Sequence, residues 1–195
     1  MSVLDGDYLK ADTHWDELLW VWEQTQAPKG CKVEIIDGIV TVTTLAATSH
    51  HRIAESIHRR LSGVIPEHWH IFQRLGTAVP ARLGLYVPDL VVVPEMPARG
   101  HDTFVPAAVA RLAVEITSKA TARHDRTVKA AGYAEAGVPL YLLVDGLAPG
   151  GPTVTLYGEP KEGVYRLLQA GKFGERIRLP APFGLELDTG SFHGA

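Results

Sequence analysis

Two carboxylates occupy stretches that otherwise read as apolar strands: Asp89, directly after Pro88 and ahead of "LVVVPEMP", and Glu115 inside "LAVEITS". Burying an unpaired carboxylate costs on the order of several kcal/mol, comparable to the whole stability of a small domain. That cost is offset if both acids face one site and share a cation. Alternate residues of a strand share a face, so Ala113, Glu115 and Thr117 point one way and Val114 and Ile116 the other. If Asp89 leads a neighbouring strand, about 4.8 Å away, the two acids can reach one cation. Oxygen ligands with positions left for water suit Mg²⁺ or Mn²⁺.

A further charge follows the strand of Glu115. Asp125, Lys129 and Tyr133 are spaced four apart and form one helical stripe. A short connection at 118–122 lets that stripe lean over the strand end, where the Lys129 ammonium would lower carboxylate pKa values and stabilise charge on a phosphate. Blander roles stand beside these: Asp125 as an i,i+4 partner of Lys129, Tyr133 as a packing residue, and Ser118 as a cap. Arg52, Arg59 and Arg60 read as a solvated helix face or as contacts to a phosphate backbone.

The elements that must position these residues follow from periodicity. Residues 13–25 open with a Thr13/Asp16 capping pattern and carry Trp15, Leu18, Leu19 and Trp22 on one side, an amphipathic helix. Residues 32–43 are two β-rich runs joined at Asp37-Gly38, a hairpin. Ile53, Ile57 and Leu61 predict a second helix over 49–63, ending at Gly63. Strand-like runs follow at 69–74, 77–83 and 89–93, then a Pro/Gly-rich loop at 94–108 and a strand at 111–117. A third helix is expected over 123–136, and "PLYLLVD" at 139–145 reads as a strand covered on both faces. The strand–helix–strand order is a right-handed parallel crossover by default. From 153 onward the chain alternates short strands and turns, an antiparallel extension.

The chain has 195 residues, 46% of them hydrophobic, which suits one domain. The expected division is an N-terminal helical segment over 1–28 and a core with C-terminal strands over 29–195. No apolar run approaches the roughly 20 residues that span a bilayer, so no membrane role is expected. A polar N-terminus and a single cysteine, Cys31, point to the cytoplasm. The net charge of −3 argues against a protein that coats nucleic acid nonspecifically. The nine histidines lack zinc-site spacing.

Taken together, Pro88-Asp89, "VEITS", the Asp125/Lys129/Tyr133 stripe, "AGVP" and "YLLVD" resemble the Uma-type restriction-endonuclease-like family of the PD-(D/E)XK nuclease superfamily. "VEIIDGIV" resembles that family's hairpin, and "SHHRI" its helix start. The resemblance covers about 30–190. It implies an α/β restriction-endonuclease-like mixed β-sheet with a parallel βαβ step, flanking helices and an antiparallel extension. It further implies a divalent metal, Mg²⁺ or Mn²⁺, held by Asp89 and Glu115, and phosphodiester hydrolysis. The superfamily lysine usually stands two residues after the acid, where this chain has Thr117. The resemblance moves that role to Lys129, with Lys119 as a rival. Glu34 and His50 match further polar positions, and with Tyr133 they complete the expected site. Val33 and Leu142 depart from the family's usual aromatics at positions that look like packing.

The function expected is a metal-dependent endonuclease acting on nucleic acid, with DNA the expected substrate and RNA left open. The alternative is a non-catalytic nucleic-acid-binding or structural protein retaining the fold. A homodimer is expected, since cutting two strands needs two sites and the tryptophan-rich first helix offers an apolar contact.

Overall fold

The structure is a computed structural model that describes residues 13–44, 47–94 and 103–192. The start of the expected N-terminal segment, most of the 94–108 loop, His101 and His193 lie outside the described residues.

Helix α1 (His14–Gln24) starts at Thr13, whose Oγ1 accepts the Asp16 N–H at 3.2 Å. Its Leu18, flanked by Trp15, Leu19 and Trp22, packs against Ile35, Leu85 and Val87. Trp22 donates Nε1–H to Val33 O at 2.9 Å and sets its ring edge-on to Phe104. Strands β1 (Lys32–Ile36) and β2 (Ile39–Thr43) form the expected hairpin. Its two turn residues, Asp37 and Gly38, have φ of 48° and 77°, the left-handed pair that such a turn requires. Helix α2 (Thr48–Ser62) buries Ile53, Ile57 and Leu61 and stops at Gly63.

The middle of the chain differs from the periodicity reading. After β3 (His70–Phe72), the expected strand at 77–83 is β4 (Gly76–Val79), then a 3₁₀ turn at Pro80–Arg82. Pro80 has no N–H to give a ladder, and Leu83 takes a left-handed φ of 44°. The chain therefore doubles back as β5 (Gly84–Tyr86), antiparallel to β4. β6 (Leu90–Val93) follows. The expected loop carries a short strand, β7 (Phe104–Pro106), parallel to β4. β4, β5 and β7 join the β1–β2 hairpin in a first sheet of order β2-β1-β5-β4-β7.

The second sheet has order β11-β10-β9-β8-β6-β3 and includes β8 (Leu112–Ile116), β9 (Leu140–Asp145), β10 (Thr153–Lys161) and β11 (Val164–Lys172). β8 and β9 are parallel, with Glu115 opposite Leu143, which is the crossover step expected. β12 (Arg176–Leu179) and β13 (Leu185–Asp188) form a separate antiparallel pair. Leu112, Val114 and Ile116 of β8 pack with α2 and with Ile177 and Leu187 of the β12–β13 pair. Ala113 faces the other way, among Tyr86, Tyr133 and Tyr141. The face parity read from the sequence therefore holds, and the architecture is mixed α/β.

The third helix is two helices, α3 (Ala122–Arg126) and α4 (Val128–Glu135), broken at Thr127. Thr127 Oγ1–H donates to Arg123 O at 2.7 Å, a local bond that competes with the helical ladder. Tyr141 Oη–H donates to Asp125 O at 2.7 Å, a carbonyl beside the break in the helix. Among the described residues no helix is long and apolar enough to cross a membrane.

Candidate active site

The ladder between β6 and β8 ends at Leu90 opposite Val114. One residue earlier, Asp89 leaves it. Its N–H donates to Val114 O at 3.1 Å, and its Oδ2 accepts the Ile116 N–H at 2.8 Å. The acid of one strand is thus tied to the backbone directly after Glu115, the acid of the other. Asp89 Oδ1 receives Lys32 Nζ at 2.7 Å and lies 3.0 Å from His50 Nε2, so β1 and α2 both reach it.

Glu115 belongs to a second cluster, built on α4. Lys129 Nζ lies 2.9 Å from Glu34 Oε1, 3.1 Å from Glu115 Oε1 and 3.1 Å from Asp125 Oδ1. Tyr133 Oη–H donates to the same Glu115 oxygen at 3.0 Å. Glu34 Oε1 also accepts the Val87 N–H at 2.8 Å, which anchors the approach to Asp89. Lys32 donates to Val87 O at 3.1 Å and so joins the two clusters.

All six residues expected at the site, Asp89, Glu115, Lys129, Glu34, His50 and Tyr133, are buried and joined through these contacts. Lys119, the rival lysine, is exposed. Thr117, in the superfamily's usual lysine place, hydrogen-bonds Asp145 Oδ1 at 3.0 Å. Ser118 exchanges hydrogen bonds with Thr121 and acts as a turn cap. Arg52, Arg59 and Arg60 lie on the exposed face of α2, with Arg59 paired to Glu55 at 3.2 Å. Leu142 is fully buried in the core, so this departure from the family pattern is a packing one.

Sequence reasoning missed Lys32. The signal was present, because Lys32 and Glu34 are two apart on one strand and so share a face.

Charge sets the character of the site. Burial acts to raise the Asp89 carboxyl, but Lys32 and then His50 more than offset it and hold it well below the usual range. Glu115 is pushed well above its ordinary value by burial, which Lys129 opposes and Asp125 and Asp89 reinforce. Burial likewise raises Asp125. Burial alone would depress Lys129, yet Glu115, Glu34 and Asp125 hold it well above the ordinary lysine value, so it is an ammonium.

Four buried acids, Glu34, Asp89, Glu115 and Asp125, therefore meet two ammonium groups, Lys32 and Lys129. Acids outnumber ammonium groups by two, and burial with mutual repulsion raises Glu115 and Asp125 against full ionisation. Although Asp125 Oδ1 is in ion-pair range of Lys129, neither of its carboxylate oxygens accepts a well-formed hydrogen bond among the described residues. A divalent cation beside these acids would favour their ionised forms. No three His, Cys, Asp or Glu side chains among the described residues converge as a ready-made metal cage. Mg²⁺ does not need one, since it commonly binds through one or two carboxylates and keeps its waters.

The comparison with curated proteins found no match. Among solved structures the chain is similar to one described as a putative nuclease belonging to DUF820 from Anabaena variabilis ATCC 29413, with 18% sequence identity and a TM-score of 0.67. That likeness covers 91% of this chain and 96% of the other, and it shows a common fold. Residues 16–190 match the Uma2 family, whose description is "Putative restriction endonuclease". This match spans both strands that carry the acids and the helix that carries Lys129, and the chain belongs to the Uma2 family.

Proposed function

We propose that the protein is a metal-dependent endonuclease that hydrolyses phosphodiester bonds of nucleic acid, with DNA as the expected substrate. The observation that carries this reading is that Asp89 Oδ2 is held by the Ile116 N–H, directly beside Glu115, in one buried network where acids outnumber ammonium groups. These two carboxylates would hold Mg²⁺ or Mn²⁺. When bound, the metal supplies Lewis acidity toward the phosphate and lowers the pKa of a coordinated water.

The chain's own residues do the positioning. The Ile116 N–H and His50 hold the Asp89 carboxylate in place. Tyr133 and Lys129 hold Glu115 from the other side. Glu34 ties Lys129 to the Val87 backbone and so fixes the ammonium relative to the strand that leads to Asp89. On this reading Lys129 is a positioning residue, because its three neighbours are all carboxylates.

Incubating the purified protein with plasmid, single-stranded and structured substrates, with Mg²⁺ or Mn²⁺ against EDTA, tests the activity. Metal-dependent nicking or linearisation is expected. Failure on all three substrate classes leaves the non-catalytic binding alternative. We further propose a homodimer, for which Val21 of α1 and Ile39 and Val42 of the edge strand β2 offer exposed apolar surface. A monomeric mass by light scattering at micromolar concentration would refute the dimer.

A further inference from the structure

The site contains two lysines, and their surroundings differ. Lys129 Nζ has three carboxylate oxygens within 3.1 Å and is 1% exposed. An ammonium has three N–H donors, and Lys129, enclosed among carboxylates, presents none of them to solvent. Lys32 Nζ has two partners among the described residues, Asp89 Oδ1 and Val87 O, and its side chain is 13% exposed. One donor of Lys32 therefore remains to be satisfied.

Lys32 also lines a cavity of about 60 Å³ beside Asp89, with His50, His51, Gln73 and Arg74 around it. That is room for more than one water and for a compact anionic group, and too little for a nucleobase. One feature of this wall points to a ligand, and a second holds a cation at its mouth. His50 is buried and its Nδ1 has no hydrogen-bond partner among the described residues, although Nε2 is held by Asp89. Arg74 takes a left-handed φ of 62°, unusual for a non-glycine residue. That backbone is pinned by the Arg74 N–H to Pro88 O bond at 3.2 Å, and the guanidinium by Nη2–H to Cys31 O at 2.7 Å. A guanidinium has five donors, and the exposed Arg74 keeps most of them for the cavity mouth.

We propose that Lys32 and Arg74 are the phosphate-binding pair of this protein, and that the cavity over Asp89 receives a backbone phosphate of a polynucleotide. Lys32 then takes the part that the sequence resemblance gave to Lys129. It neutralises charge on the phosphate, while Lys129 serves the carboxylates. The proposal rests on the nucleic-acid reading of the site but not on turnover.

The test measures binding without cleavage. A fluorescein-labelled 20-base-pair duplex and its single strand are titrated in EDTA by anisotropy across a salt series. Wild type, Lys32→Met, Arg74→Gln and Lys161→Gln are compared, the last removing an exposed charge at the β10–β11 turn. Lys32→Met and Arg74→Gln should each weaken binding about tenfold and lower the salt slope by about one, the signature of one lost phosphate contact. Lys161→Gln should match wild type. Arg74→Gln leaves the buried acids untouched, so it decides the matter even if Lys32→Met folds poorly. Wild-type affinity and slope in Arg74→Gln, or no nucleic-acid binding by wild type, overturns the proposal. If wild type cuts with metal while Arg74→Gln binds normally, the phosphate site fails and the nuclease reading stands. If binding falls as stated but wild type never cuts, the phosphate site stands and the nuclease reading fails.

Discussion

Lys129 Nζ lies 3.1 Å from Asp125 Oδ1 although the helix between them is broken at Thr127. The pair keeps its i,i+4 spacing across the break and adds Glu34 and Glu115, so one ammonium serves three acids.

Removing that ammonium strands buried charge. Lys129→Met should cost about 3–5 kcal/mol of stability at neutral pH, the usual scale for breaking a buried pair from one side. The sign of the pH dependence follows from the acids left behind. Glu115 and Asp125 titrate above their ordinary values when folded, so the folded state binds protons more readily than the unfolded one. Stability of Lys129→Met should therefore rise as pH falls from 8 toward 5. Chemical denaturation at several pH values checks this, and a pH-independent loss would show that Lys129 is not the ion that balances them.

Asp89→Asn keeps an oxygen for the Ile116 N–H but removes the charge that meets Lys32. Cutting should fall about 100-fold or more, on the order of the several kcal/mol of charge stabilisation that a bound metal provides. Asp89→Ala should be less stable than Asp89→Asn by about 1–3 kcal/mol, because the buried Ile116 N–H loses its acceptor. Cleavage assays and thermal melts separate the two effects. Full activity in Asp89→Asn would retire Asp89 as a ligand.

Gly132 on α4 sits against Tyr86. A Cβ there would lie 2.5 Å from both Oη and Cε2 of that ring. Helix propensity alone favours Gly→Ala by about 1 kcal/mol, but the overlap should reverse the sign and destabilise the protein by about 1–3 kcal/mol. Activity should drop with it, because the same helix carries Lys129 and Tyr133. Tyr86 Oη is buried without a hydrogen-bond partner among the described residues. Tyr86→Phe should then be neutral or stabilising in a melt.

Asp145 anchors the far end of β9. Burial acts to raise its carboxyl, but hydrogen bonds from Arg126, Leu147 N and Thr117 leave it below the ordinary value. A depressed acid contributes stability above its unfolded pKa of about 3.9 and loses it as pH falls through the folded value. Arg126→Ala should cost about 1–2 kcal/mol at pH 7, toward the low end for a charge-assisted bond because a third of the Arg126 side chain meets water. It should also flatten the stability curve below pH 4. An unchanged acid limb would count against the pairing.

Much of the fold was legible because the signals are local. The Asp37-Gly38 turn, the four-residue spacing of Ile53, Ile57 and Leu61, and the parity of "LAVEI" each act within a few residues. Less legible were the break at Thr127 and the doubling back at Pro80. The first turns on one hydroxyl choosing the Arg123 carbonyl. The second requires Leu83 to adopt a conformation that periodicity does not report.

The sequence by itself determined that Glu115 lies inside a strand and shares its face with Ala113, and that Asp125, Lys129 and Tyr133 form a stripe. Only the tertiary structure decided which cation meets which acid. Lys32 and Asp89 are 57 residues apart, and Glu34 meets the Val87 N–H across 53. Backbone periodicity fixes the direction in which a side chain leaves its own strand or helix. The packing of α4 and the β1–β2 hairpin against the second sheet then placed Lys129 deep among three carboxylates and Lys32 at the cavity beside Asp89.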